Sequence, residues 1–317
     1  MVEIFKKING ELVKIEQPEK DCWINIYPPF SHENLESISS QFNIPLDYLT
    51  DSLDVDERTR FEQEGEVKLI VINTPIINEE DLLIENSAQY ITIPIGIIVL
   101  RDMILTISPY NNPVIDCFIN KRVKYFDPAN KGHFIVKIFD RNVFYFLHYL
   151  KQINNKRNLY EEELFNSSRN KELSQLMNLQ KSLVYFVTDL RSNELTMMKI
   201  QRTNFLELKE QPEVSDFLED VIVDNSQALE MGNIYTNILN GTMDAFASII
   251  SNNLNMVMKR LTSFTILLMV PNIFAGFYGM NVSLPAQDKS WAFAFIFLLS
   301  LGISGGAALY FYRKKWF

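Results

Sequence analysis

Neutral oxygen atoms are arranged in an ordered way in the C-terminal part of this 317-residue chain. Stepping alternately by four and three from Asp244 gives Ser248, Ser251, Asn255, Met258, Thr262, Thr265, Met269, Asn272 and Gly276. A heptad seam of this kind ordinarily holds Leu, Ile and Val. Here it holds hydroxyls, amides and two thioethers, while Ile249, Ile250, Leu254, Phe264, Ile266, Leu267, Leu268 and Phe274 occupy the other faces. Directly after the seam comes Tyr278-Gly279-Met280-Asn281. Gly279 permits backbone conformations that expose carbonyl oxygens, and Asn281 adds an amide oxygen. Repeated round a ring, such groups would present neutral oxygens to a cation that keeps its water shell. Mg²⁺ gives up its waters reluctantly, so contact through them suits its chemistry.

Two apolar spans must position these residues, one from about Leu261 to Phe277 and one from about Trp291 to Tyr312. Each approaches the ~20 residues a helix needs to cross the hydrocarbon core. Lys259-Arg260 precede the first and Arg313-Lys314-Lys315 follow the second, whereas Lys289 in the loop is balanced by Asp288. By the positive-inside rule both ends face the cytoplasm and the loop faces outward. Trp291, Trp316 and several tyrosines sit where interfacial anchors belong. The N-terminus lacks a signal-peptide pattern. The expectation is a multi-pass protein of the cell (inner or plasma) membrane with both termini cytoplasmic.

Polar groups at membrane depth must face protein or water. Two readings of the seam follow. It is either a helix–helix interface in which small residues allow close approach, or the lining of a pore. In the second, Met258, Met269 and Leu261 at the seam's edge form apolar constrictions that gate by dewetting. One chain with two spans cannot enclose a pore, so that reading requires a symmetric ring of subunits.

Ahead of the spans the chain is polar and acidic. Residues from 259 onward carry a net charge of +5 and the whole chain −9, leaving −14 on residues 1–258. Such a body suits cations and excludes nucleic acid, whose phosphates need Lys and Arg. Cys22 and Cys117 are far apart, so neither a disulfide framework nor a zinc site is indicated. Residues 67–72, 89–100 and 103–107 are β-branched runs, with Arg101-Asp102 a hairpin turn between the last two. Ser31 to Phe42 and Pro45 to Leu53 read as short helices, the first capped by Ser31 with Glu33 in its first turn. From about Asn142 the pattern becomes helical, broken at Pro212. A second stretch then runs from near Val214 to Gly276, which as one helix of ~60 residues would extend roughly 95 Å. The fold class is therefore an α+β membrane protein. A cytoplasmic α/β domain spans 1–141, long cytoplasmic helices including a stalk 142–258, and a transmembrane hairpin with a basic tail 259–317.

The placement of Tyr278-Gly279-Met280-Asn281 between two C-terminal spans is specific, as are Ala275-Gly276 before it, residues 251–259 upstream and the closing Arg313-Lys314-Lys315-Trp316. In these the chain resembles the CorA family of magnesium transport proteins. The layout agrees throughout, and the sequence likeness is specific from about residue 240. The resemblance implies a homopentameric funnel that admits Mg²⁺, with Co²⁺ or Ni²⁺ as further cargo, down its electrochemical gradient without ATP. It implies an outer selectivity ring of Gly279 and Asn281, and a pore lined by Asn255, Met258, Leu261, Thr265, Met269 and Asn272, with Asp244 near its cytoplasmic end. It also implies regulatory Mg²⁺ held by carboxylates of neighbouring subunits. Asp220 falls at the stalk-side position and Glu79-Glu80-Asp81 in the turn that should supply its partner. That turn is longer and more acidic than the family's pattern, and the outer loop offers only Asp288 where relatives often carry a Glu.

Other clusters carry less. His32, His133 and His148 have no metal-ligand spacing. Glu161-Glu162-Glu163 read as residues near a helix N-terminal region or on a solvated face, and Met197-Met198 as packing. No nucleophile–base pair is evident, so an enzyme is not expected. Two alternatives remain open. One is a zinc or other divalent-cation transporter of the same fold, against which Met280 argues because zinc-selective relatives tend to replace it. The other is a membrane-anchored oligomeric sensor or scaffold, against which Thr265 and Asn272 in the bilayer argue.

Overall fold

The computed structural model describes residues 2–78, 87–167, 170–280, 282, 289–314 and 316. The chain divides into two units, Met1–Gly241 and Thr242–Phe317. Seven strands form one sheet in the first: β1 Val2–Ile8, β2 Glu11–Ile15, β3 Cys22–Ile26, β4 Arg60–Glu64, β5 Val67–Ile77, β6 Tyr90–Val99 and β7 Met103–Ile107. Their order is β2-β1-β3-β7-β6-β5-β4. Only β3 and β7 pair in parallel. The β5–β6 pair is the longest, in register from Lys68 opposite Val99 to Ile77 opposite Tyr90. The β6–β7 hairpin closes at Arg101-Asp102, with the Leu100 N–H donating to the Met103 carbonyl at 2.9 Å.

Both faces of the sheet are covered, which is why its central strands read as nearly continuous apolar runs. One face packs on α1 (His32–Phe42) and α2 (Leu46–Asp51) through Leu35, Ile38, Tyr48 and Leu49. Ser31 caps α1 by accepting from the Asn34 N–H. The other face packs on α3 (Pro113–Ile119), α4 (Lys131–Ser167), α5 (Asn170–Thr203) and the start of α6 (Pro212–Tyr278). Its centre is aromatic. Trp23 is fully buried against Phe5, Phe118 and Phe134, with ring centroids 5.1, 6.3 and 5.2 Å away. Its indole N–H donates to the Thr106 hydroxyl, which donates to Asn25 across the parallel pair.

Gly96 marks a close approach between β6 and α2. A Cβ there would stand 2.0 Å from the Ser52 hydroxyl oxygen and 2.4 Å from the Ser52 Cβ. Overpacking of this kind costs about 1–3 kcal/mol. Gly96→Ala is therefore expected to lower the melting temperature of the detergent-solubilised protein by several degrees. Adding Ser52→Gly should recover part of the loss, and an unchanged melting temperature for the single variant would show that the approach is not tight.

The helical part begins earlier than the sequence pattern suggests. α4 starts at Lys131 rather than near Asn142, because Phe134, Ile135, Ile138 and Phe139 already form its buried stripe. Glu161-Glu162-Glu163 consequently lie towards the C-terminal end of α4, where they cannot complement an N-terminal dipole. Glu161 instead stands 4.0 Å from Arg157, one turn back. Of the methionine pair, Met197 is buried and Met198 half-exposed.

The outer edge of β5 is sealed by asparagines. β4 ends opposite Val71, leaving the Asn73 peptide without a strand partner on that side. Asn193 on α5 accepts from the Asn73 N–H at 3.1 Å and donates to its carbonyl at 2.7 Å. Asn142 on α4 donates to the same carbonyl at 2.9 Å. Side-chain amides thus replace the missing ladder bonds and fasten both helices to the sheet.

The second unit holds the later part of α6 and α7 (Ala292–Arg313). α6 is one helix of 67 residues that opens on Pro212, where a missing N–H is harmless, and contains Pro271. α6 and α7 are both long and apolar enough to cross a membrane. α6 ends at Tyr278, one residue past the end expected for the first span, and α7 begins and ends within one residue of the expected Trp291–Tyr312.

Candidate functional site

The polar seam of α6 is exposed along its whole length. Asp244, Ser248, Ser251, Asn255, Met258, Thr262, Thr265, Met269, Asn272 and Gly276 all lie on open faces, as does Leu261 at the edge. The α6 residues that lose exposure in the span are Ser263, Leu267, Val270, Pro271 and Phe274. A hydrogen bond from the Ser304 hydroxyl to the Leu267 carbonyl identifies this as the face towards α7. At 3.6 residues per turn the two sets lie about 150° apart around the helix. The seam is therefore not what joins the two spans within one chain.

That placement bears on the cost of each polar group. The Thr265 hydroxyl donates back to the Leu261 carbonyl at 2.9 Å, so its donor is satisfied within the helix. The Asn272 side chain makes no hydrogen bond among the described residues and sits on the open face of a membrane-length segment. Facing lipid, each unsatisfied polar group of its amide would cost several kcal/mol. Facing water or another copy of the chain, it would not.

The α6–α7 contact uses different chemistry. α7 presents Ser300, Ser304 and Ala308 at four-residue spacing, the small-residue pattern that lets helices approach closely. Pro271 has no N–H to give the carbonyl four residues earlier, that of Leu267. Ser304 donates to that carbonyl at 3.3 Å in its place. The sequence reading missed this pairing, although an interior proline facing a spaced Ser-Ser-Ala stripe was a usable signal. Ser304→Ala should destabilise the protein by about 0.5–1.5 kcal/mol in a detergent-micelle unfolding assay. Ser300→Ala is the control, because Ser300 bonds only within its own helix, to Phe297. Equal losses for the two would mean that the freed carbonyl needs no partner.

At the end of the seam α6 closes with the Gly279 N–H on the Ala275 carbonyl at 2.9 Å. Gly279 does not adopt a positive φ. Its lack of a side chain matters sterically instead, since a Cβ would stand 3.2 Å from the Ala275 oxygen. Tyr278 and Met280 are exposed. Asn281 lies outside the described residues, as do Asp288, Glu79, Glu80 and Asp81.

Asp220 lies on α6 in the first unit, exposed and without an ion pair among the described residues. It belongs to a stretch with a strong charge bias. Between Pro212 and Met258 the chain has seven acidic residues and no Lys or Arg. All seven are exposed: Glu213, Asp216, Glu219, Asp220, Asp224, Glu230 and Asp244. Unpaired carboxylates of this kind suit hard cations that favour oxygen ligands. Among the described residues no three His, Cys, Asp or Glu side chains come together as a ready metal cage. The histidines are scattered too, with His32 beside Glu36 at 3.1 Å and His148 beside Gln152 at 2.9 Å.

The family described as CorA-like Mg²⁺ transporter protein matches residues 19–313, which take in most of the sheet, the long helices and both spans. The chain belongs to this family. Among CorA relatives, the cobalt/magnesium transport protein CorA of Methanocaldococcus jannaschii is 25% identical over 299 residues, covering 93% of this chain and 90% of that protein. The protein of the same name from Thermotoga maritima is 22% identical over 330 residues, covering 99% and 90%. The complete structure of the CorA magnesium transporter from Methanocaldococcus jannaschii superposes with a TM-score of 0.83 at 23% identity. It covers 100% of this chain and 99% of that one, so the CorA fold is shared from end to end.

Proposed function

We propose that this protein is a channel-like transporter for Mg²⁺, passing Co²⁺ and Ni²⁺ as well, which lets a largely hydrated ion move down its electrochemical gradient. The observation that carries the reading is the exposed seam of α6, turned about 150° from α7, in a chain of the CorA family. A row of hydroxyls and amides that its own chain leaves open is accounted for when several copies turn it towards a shared, water-filled axis. The relatives named cobalt/magnesium transport proteins supply the cargo.

In this reading five copies form the ring, in the cell membrane, with both termini cytoplasmic. Asn255, Thr262, Thr265 and Asn272 offer outer-shell hydrogen bonds to the ion's waters along the axis. Met258, Leu261 and Met269 form the apolar constrictions, where a hydrated ion passes only when the ring widens enough to stay wet. Gly279 and Asn281 form the outer ring that admits the ion, flanked by Tyr278 and Met280. Gly276 keeps the helix slim beneath it, and Asp244, Ser248 and Ser251 receive the ion on the cytoplasmic side. Cytosolic Mg²⁺ bound between subunits, by Asp220 and the turn that contains Glu79, Glu80 and Asp81, closes the pore when the ion is plentiful.

The test is Mg²⁺ influx into liposomes that hold the purified protein, at low and then millimolar internal Mg²⁺. Influx that internal Mg²⁺ suppresses supports both pore and regulation. Influx that it does not suppress leaves the pore and removes the regulation. No influx at either level, from a correctly assembled oligomer, would replace transport with an anchored scaffold, and uptake of Zn²⁺ but not Mg²⁺ would reassign the cargo.

A further inference from the structure

A cavity of about 300 Å³ lies in the first unit at the carboxyl ends of β3 and β7. These strands form the parallel pair, so both end on the same side of the sheet. Crevices so placed are where α/β sheets commonly hold ligands. The cavity is separate from the seam and from Asp220. Asn25 of β3 forms part of its wall, with Glu3 directly opposite on β1 and Asp116 on α3. Tyr27 and Tyr110 add aromatic rings.

Asn25 is 7% exposed, and the orientation of its amide is set from inside the core. The Trp23 indole can only donate, so Thr106 accepts from it at 2.8 Å. The single Thr106 hydroxyl proton then goes to Asn25 at 2.9 Å, and the amide atom that receives it must be the oxygen. The Asn25 NH₂ group is left on the other side of the amide, without a partner among the described residues. The fully enclosed polar atoms that lack a partner all belong to other described residues, so this NH₂ group is open to the cavity that Asn25 lines. Its polar neighbours are already engaged. Asn112 donates to Ser108 and accepts from the Val114 N–H, while Ser108 donates to the Pro94 carbonyl. A nearly buried donor that faces open space calls for a ligand that brings an acceptor.

The rest of the lining narrows the ligand's chemistry. Glu3 engages Lys14 through one oxygen, and Asp116 makes no ion pair among the described residues. Both carboxylates accept and cannot donate. No Lys or Arg stands among the described lining residues, which disfavours phosphates and carboxylates as ligands. A metal cation would meet the positive end of the Asn25 amide dipole. A hydroxyl both accepts and donates, so it can bridge Asn25 and a carboxylate. The tyrosines offer flat apolar surface to the C–H face of a ring. The volume stands at the lower end of the range for small-molecule sites, which suits a single ring.

We propose that this crevice binds a neutral polyol of monosaccharide size. One hydroxyl accepts from the Asn25 NH₂ group and donates to Glu3, a second donates to Asp116, and the carbon ring lies against Tyr110. The site is independent of the transport reading and stands or falls without it.

Ligand-observed NMR titration of the full-length protein tests this with D-glucose and myo-inositol as the probes. A zwitterionic detergent keeps sugar headgroups out of the sample, and Mg²⁺ is held constant. Saturable binding of at least one probe is expected, several-fold tighter than that of acetamide. Asn25→Ala should weaken it at least tenfold. Asp116→Ala, at an exposed position, should weaken it a few-fold and serves as the deciding variant if Asn25→Ala does not fold. Absence of saturable binding by either probe would overturn the proposal and leave the crevice to water. Binding unchanged by both substitutions would overturn it too, as would acetamide binding as tightly as the polyols, which would make the crevice a site for amides.

Discussion

Replacing Asn281 with alanine is expected to abolish Mg²⁺ uptake and leave assembly intact. The substitution falls three residues beyond the end of α6, which closes at Tyr278, so it leaves the helix's own sequence unchanged. What it removes is a neutral amide in the proposed outer ring. A hydrated Mg²⁺ held only through its waters gains no inner-shell bond there, so its stabilisation is the sum of modest hydrogen bonds. One such bond is worth about 1 kcal/mol. Lost from each copy of a five-fold ring, that amounts to about 5 kcal/mol, or roughly 10³–10⁴ in occupancy of the entrance. Uptake by liposomes containing Asn281→Ala should fall to the background of empty vesicles, while size-exclusion chromatography shows the wild-type oligomer. Asn281→Gln, which keeps the amide but moves it, should retain part of the flux. Wild-type uptake by Asn281→Ala would remove the outer ring from the mechanism.

How much could be read in advance depends on whether the signal was local. The two spans were legible because some twenty apolar residues have few alternatives to a membrane helix. β5, β6 and β7 were legible as β-branched runs, since a sheet covered on both faces needs apolar side chains on both sides. β1, β2 and β4 were harder. Lys6, Lys7, Lys14 and Arg60 interrupt them, and their pairing is fixed by partners far along the chain. β3 runs parallel to β7 from Cys22 opposite Met103 to Ile26 opposite Ile107, a register no local pattern announces. The start of α4 is hard to read because residues 131–141 mix Lys131, Lys137 and Asp140 with their buried Phe and Ile residues, which blurs the period.

The candidate site divides in the same way. The seam was readable as a four-three repeat of unusual composition, but not its direction. Thr265 and Asn272 could equally have met α7; the face that loses exposure is instead that of Ser263, Leu267, Val270 and Phe274. The asparagines that seal β5 were not readable at all. Asn73, Asn142 and Asn193 are separated by 69 and 51 positions, and each alone looks like an ordinary polar residue. Asn73 meets α5 twice, with its backbone N–H on the Asn193 side chain and its amide N–H on the Asp189 carboxylate.

Changing Asp220 to lysine should leave the transporter conducting at millimolar internal Mg²⁺, where the wild type is expected to be closed. Asp220 is exposed on α6 and makes no ion pair among the described residues, so the substitution breaks no packing. Surface changes of that kind are usually within about 0.5 kcal/mol in stability. The electrostatic consequence is larger. Residues 212–258 carry seven acids and no base, so neighbouring copies that bring these helices together repel one another unless cations intervene. In the proposed regulation, Mg²⁺ bound in that position holds the subunits together and the pore shut. On that proposal, its loss as cytosolic Mg²⁺ falls frees them to move apart. A lysine at 220 replaces the proposed ligand with a cation, so Mg²⁺ would no longer gain by bridging there. Asp220→Ala separates the two parts of this argument, removing the ligand without adding positive charge. Both variants should carry influx at high internal Mg²⁺ close to the rate seen at low internal Mg²⁺. If lysine alone stayed closed at every Mg²⁺ level, its ammonium would be standing in for the ion against the acids of the adjacent copy. If both variants were inhibited as the wild type is, the closing ion would have to be held by carboxylates other than Asp220.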